Sequence, residues 1–411
     1  MKKENSLIGF IQAFAVLYIV VWSVSPPLSL DLIYRIIALL LAAVWAVMAL
    51  MRRIRLDNTQ IGAILFALAV VLITYLNTKS TSSIIKQIGV YIMVVEFIFF
   101  CFYCKKDSWS ELSFIVPVVF IVLIYFNYKT AVALIKDPKV ARIIVRVSEE
   151  ATAYLRQGLG GYGLVYTQVL FFPAGLMWTM KAFSKDKFRF ILGLGWLVSY
   201  IALVANASYS IALFSTCASA IILLFYRGKS VGGVIVLTAL LFFGVIGAIM
   251  YIDPLREQLL ITFDGTAVAK KINDLVAPPE ESSNADSIQM RIDQYVGSLK
   301  AMLEYPIIGN LGRPSSQGTH SRMLDTFAKY GWAGGYINIK MLYCAPTYFK
   351  KNYDMRDVMR VANAEFVVMI FVSFFDTLPY DTMCALFIIV PILISDIIRW
   401  AVKDDESIMV S

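Results

Sequence analysis

The chain has 411 residues, of which 59% are hydrophobic and 16% charged, with a mean hydropathy of +0.71. That composition exceeds what a water-soluble core needs and matches lipid as solvent, so the chain reads as one all-α integral membrane domain over 1–411. The net charge of +8 does not imply a nucleic-acid partner, because the basic residues fall at alternate ends of the apolar runs, as loops held on the cytoplasmic side do.

About twelve spans are predicted, over 7–24, 30–51, 60–77, 84–103, 112–127, 164–183, 188–206, 209–226, 231–252, 325–348, 361–378 and 382–401. The first follows Lys2 and Lys3 but is longer than the h-region of about 7 to 15 residues in a signal peptide, so it reads as a retained helix. The positive charges then put both termini in the cytoplasm and six loops outside. Cys101 and Cys104, with Cys217, Cys344 and Cys384, lie in or beside apolar runs without histidine companions, as packed thiols do.

Two outward segments are long, 128–163 and 253–324. In the first, Val140, Ile143, Ile144, Val147, Ala151, Tyr154 and Leu155 recur at helical spacing, which predicts a helix lying on the membrane surface. Arg142 and Arg146 are four apart and share one side of it, where arginines either snorkel to lipid headgroups or bind a ligand. Gly158-Leu159-Gly160-Gly161-Tyr162-Gly163 formally fits a dinucleotide fingerprint, yet it follows no strand and runs into a span, so it reads as a tight loop. Tyr162, Tyr166 and Tyr295 either stack on sugar rings or pack in the core.

The second segment begins with a polar strap around Pro278-Pro279-Glu280-Glu281 and continues as an amphipathic helix over Ser287 to Leu303, carrying Arg291 on its polar side. Tyr305-Pro306-Ile307-Ile308-Gly309-Asn310 then forms an irregular turn and Arg313 follows. The chain's one histidine, His320, stands where Thr319 or Ser321 caps the next helix. Backbone amides there favour an anion and keep an imidazole neutral, so His320 can accept a proton while nearby arginines hold a phosphate. A histidine that merely caps a helix is the plainer alternative. Glu96, Glu365 and Asp396 lie in or near spans, either as a proton pathway or as buried, paired acids.

Arg291, the Tyr305–Asn310 turn, and His320-Ser321-Arg322-Met323-Leu324-Asp325 with Gly331, Gly334 and Gly335 resemble the signature region of bacterial O-antigen and exopolysaccharide polymerases of the Wzy type and of the related O-antigen ligases. The motif resemblance covers about 291–335, the topology the whole chain. It implies a GT-C-like glycosyltransferase in the bacterial plasma membrane. Such an enzyme polymerises polyprenyl-diphosphate-linked repeat units into O-antigen, capsule or exopolysaccharide without a metal or other cofactor. The donor and acceptor are its partners, beside a chain-length regulator, a flippase and membrane lipids. On this resemblance His320 and Arg291 are the expected catalytic pair, Arg142, Arg146 and Arg322 the diphosphate grip, and Asp325 a supporting residue. An O-antigen ligase uses the same donor, and a flippase-like transporter is the rival of a different class.

Overall fold

A computed structural model describes residues 2–51, 58–85, 87–106, 108–144, 148–207, 209–226, 251–262, 285–311, 320–376 and 378–409, with positions 232, 233, 236, 238–240, 244, 249, 264, 269, 272 and 273. The chain is all-α, with no strand among the described residues. Eight helices are long and apolar enough to cross a membrane, which makes this a multi-pass membrane protein. They are α1 (Lys2–Val24, apolar over Leu7–Val24), α3 (Leu32–Met51), α4 (Asn58–Thr78), α6 (Ile88–Lys106), α7 (Ile115–Lys136), α11 (Lys187–Asn206), α17 (Arg356–Phe375) and the stretch Ala385–Val402, where a π-helical turn runs into α18 (Val390–Met409). Between them lie the short α2 (Pro26–Leu30) and α5 (Thr81–Ile85), then α8 (Val140–Ile143), α9 (Glu149–Arg156), α10 (Tyr162–Lys185), α12 (Ser210–Phe225), α13 (Asp253–Thr262), α14 (Ala285–Glu304), α15 (Arg322–Leu342) and α16 (Cys344–Asn352).

Helix α10 is the centre of the bundle and packs against α11, α12, α17 and α18. Its residues from Leu164 to Gly175 are buried without a break. Small residues let the neighbours come this close: a Cβ on Gly175 would sit 2.7 Å from the Trp196 ring, and one on Gly193 would sit 2.3 Å from Thr179 Oγ1. Deep in the same packing, the amides of Asn127 on α7 and Gln168 on α10 donate to each other at 2.8 Å. Gln168 Oε1 also accepts from Trp196 Nε1 at 3.0 Å, and Ser199 accepts from Asn127 at 3.2 Å. In a medium without water such a closed ring satisfies groups that would otherwise cost several kcal/mol (about 2–7) each.

The two ends of the bundle differ in charge. At one end Asp396 on α18, fully buried, accepts from Arg189 on α11, from Arg399 at 2.7 Å, from Ser113 at 2.7 Å and from Trp178 on α10 at 3.1 Å. Lys181 pairs there with Asp357 at 2.5 Å, and Lys105 donates to Gln60 at 3.1 Å. Asp396 is thus a paired acid, and among the described residues this end of the bundle is rich in arginine and lysine. At the opposite end Asn77 donates to the Leu311 carbonyl at 2.6 Å, Gly160 donates its N–H to Thr130 at 2.8 Å, and α10 meets the end of α17.

Several expected boundaries move. Helix α7 continues through Lys129 to Lys136, nine residues past the end expected for its span at 127. The surface helix expected over 140–155 is divided: Ser148 has extended backbone, and its hydroxyl accepts from Ala151 N–H at 3.1 Å, starting α9 afresh. The 325–348 span is replaced by α15, broken at Gly331, and α16 after Tyr343. Most of the 231–252 span and all of the 278–284 strap lie outside the described residues.

Candidate functional site

At the end opposite Asp396 and its arginines, the break in α15 organises the surroundings of His320. Gly331 has φ 70° and ψ −175°, a conformation essentially reserved for glycine. The turn after α14 fits into this break. A Cβ on Gly331 would meet the Ile307 carbonyl oxygen at 2.3 Å, and one on Gly309, itself at φ 69°, would meet the Lys329 carbonyl oxygen at 2.2 Å. Two backbone hydrogen bonds cross the contact, Asn310 N–H to Ala328 O at 2.9 Å and Trp332 N–H to Pro306 O at 2.7 Å. The interlock pins the end of α14 to the middle of α15. The bend is large: a straight helix would hold residues 322 and 338 about 24 Å apart, farther than their side chains could reach to one atom. Yet Arg322 Nη2 and Asn338 Nδ2 lie 3.8 and 3.9 Å from Met93 Sδ on α6.

Helix α15 begins as expected at a serine cap. Ser321 has extended backbone and its hydroxyl accepts from Leu324 N–H at 3.3 Å, so half-buried His320 stands immediately before the cap. Asp325 reaches back one turn to accept from Ser321 N–H at 3.2 Å and accepts from Ser298 Oγ of α14 at 2.5 Å. It thereby stitches the two helices together beside the histidine. Burial raises the Asp325 carboxyl from its ordinary value of 3.8 to about 6, against the lowering effects of Ser298, the Ser321 amide, Arg322 and Lys329. Its position is the first turn of α15, outside the eight candidate spans.

Arg322 points inward. Its backbone N–H donates to Asp376 O at 3.0 Å, and its buried guanidinium donates to Leu378 O at 3.2 Å. Arg291 belongs to α14, seven residues before Ser298, which puts its Cα on the same helix face about 10 Å away. The Arg291 side chain lies outside the described residues, as do the Arg142 side chain on α8 and all of Arg146 and Arg313. Among the expected site residues, therefore, His320, Arg322 and Asp325 come together at one helix start, and Arg291 is carried by the helix packed against it.

Two further residues join this region without having been singled out. Asp376, the buried C-cap of α17, accepts through its two carboxylate oxygens from the hydroxyls of Tyr162 and Tyr166, one turn apart on α10. The two phenol rings stack at 4.7 Å, and Tyr209, just before α12, meets Tyr162 edge-on at 4.9 Å. Burial first, then the neighbouring carboxylate, pushes the Tyr162 hydroxyl well above the usual phenol range, so it remains a donor. Tyr166 and Tyr162 are thus mainly hydrogen-bonded packing residues. A trace of this cluster exists in the sequence: Asp376 is an acid between two apolar runs, three residues before Pro379.

The chemistry available is a half-buried imidazole at a capped helix start, the buried guanidinium of Arg322 two residues on, and a second helix bearing an arginine packed against that start. Such a helix start attracts an oxyanion, and imidazole is the side chain best suited to moving a proton near neutral pH. No protein-family model matches the chain, and no curated protein matches it either.

Proposed function

We propose that the protein is a membrane glycosyltransferase that polymerises polyprenyl-diphosphate-linked oligosaccharide repeat units at the outer face of a bacterial plasma membrane. One observation carries the reading: the chain's one imidazole stands at a capped helix start, opposite the basic end of the bundle, against the helix that bears Arg291. With the basic end in the cytoplasm, this site faces outward. The eight candidate spans support a polytopic membrane architecture, and the GT-C-like fold with about twelve crossings belongs to the proposal.

In the proposed reaction His320 takes the proton of the acceptor sugar hydroxyl. The hydroxyl oxygen bonds to the donor's anomeric carbon, and the bond from that carbon to the diphosphate breaks. The electron pair leaves with the polyprenyl diphosphate, whose charge is held by Arg291 together with Arg142, Arg146 and the field of Arg322. Asp325 supports the helix start rather than touching substrate.

Reconstitution with a defined polyprenyl-diphosphate oligosaccharide tests the reaction class. His320→Ala should lower turnover by roughly 10² to 10⁴ while the protein remains folded; near-normal product length in that variant removes the proton-transfer role. A ligase would instead transfer finished glycan to a lipid-core acceptor. Transport, the rival of a different class, would draw on the buried acids of the spans, of which Asp396 is held by Arg189 and Arg399.

A further inference from the structure

Deepening the proposed transfer, on which only its kinetic arm rests, we infer that Tyr162, Tyr166 and Asp376 form a positioning unit for His320. The connection is a short, fully named chain of bonds. Two phenols of α10 hold the Asp376 carboxylate at the end of α17. The Asp376 carbonyl then accepts the N–H of Arg322, at 3.0 Å, and the Leu378 carbonyl two residues on accepts the Arg322 guanidinium at 3.2 Å. A third tie joins the same two elements, the Ser321 hydroxyl donating to Ser373 O at 3.4 Å. His320 is covalently adjacent to this anchored pair. Its backbone position at the helix start is therefore tied to residues 373, 376 and 378, and Asp376 is in turn tied to α10.

A group held this way differs from one that is only packed. The two phenol rings are stacked on each other and Tyr209 packs edge-on against Tyr162, so exchanging a hydroxyl for hydrogen leaves the aromatic packing in place and removes only the bond to the carboxylate. Misplacement of a proton acceptor by about 1 Å is enough to cost on the order of 100-fold in rate. A modest slackening at Asp376 should therefore be visible in turnover before it is visible in folding.

The single histidine makes the test direct, because protein labelled with ¹³C-histidine gives one imidazole signal. At fixed pH in nanodiscs, Tyr162→Phe with Tyr166→Phe, and separately Asp376→Asn, should move that signal by more than its linewidth. Tyr200→Phe, which deletes another buried phenol bond, to Thr216 at 2.7 Å between α11 and α12, should leave it in place. In the reconstituted reaction the same variants should lower kcat about ten-fold or more with KM within about two-fold. An unmoved signal in the tyrosine and aspartate variants overturns the proposal, and so does an equal displacement in Tyr200→Phe. If the double variant does not fold, Tyr162→Phe alone is read by the same criteria. A signal that responds as expected in a protein without transferase activity upholds the positioning unit and defeats the transfer reading.

Discussion

Gly331→Ala should be among the most damaging one-carbon changes available in this protein. The added Cβ would lie 2.3 Å from the Ile307 carbonyl oxygen and 2.5 Å from its carbon, and both belong to backbone that no rotamer change can move aside. Reaching an ordinary contact of about 3.4 Å requires the turn after α14 to retreat by about 1 Å. That retreat breaks the 2.9 Å bond from Asn310 to Ala328 and the 2.7 Å bond from Trp332 to Pro306. Strain for a side chain at this φ and ψ adds about 1–3 kcal/mol, and two lost hydrogen bonds about 0.5–1.5 kcal/mol each, for a total of about 2–6 kcal/mol. Gly62→Ala is the matched control, since a Cβ there meets nothing within 4 Å; a helical glycine-to-alanine change of that kind should be stabilising by about 0.5–1 kcal/mol. Thermal unfolding in detergent compares the two, and hydrogen exchange over 305–311 and 322–332 localises the effect. Gly309→Ala should behave like Gly331→Ala, and the double variant should fall short of the sum because both break one contact. Equal stability of the Gly331 and Gly62 variants would falsify the interlock.

The raised Asp325 carboxyl makes stability depend on pH in a direction opposite to that of an ordinary salt-bridged aspartate. The folded state holds the proton between about pH 4 and pH 6 where the unfolded chain releases it, so the protein should gain stability on acidification from 7 to 5. After allowance for solvent screening the gain is about 1–2 kcal/mol; Asp325→Asn should flatten this part of the pH profile, and an unchanged profile would assign the dependence elsewhere. At the basic end, Asp396→Asn leaves two guanidiniums sharing a site without their anion and should cost about 3 kcal/mol, read as a lower midpoint of unfolding. A loss below about 0.5 kcal/mol would mean that Arg189 and Arg399 find other partners.

Helix content, membrane residence and most boundaries follow from features that are local in the chain: runs of about 20 apolar residues, basic termini and capping serines. The cap at Ser321 and the helix over Ala285–Glu304 are of that kind. Ser148 was equally local, a serine followed by two glutamates, but the hydrophobic stripe running through it suggested one helix where a cap starts a second. What hydrophobic periodicity does not reveal is contact over long separations. Gly331, Gly334 and Gly335 look alike in sequence, and only the Ile307 carbonyl pressing on the first of them selects it as the break. Asp376 lies more than 200 residues from the tyrosines that hold it, so its carboxylate carries no mark of its partners.

The closed amide ring deep between α7, α10 and α11 also bears on motion. Sliding any of the three helices by one turn would strand both carboxamides in hydrocarbon, with nothing there to replace their partners. The trio is therefore one rigid body, and any sliding of helices past one another in this bundle has to take place outside it.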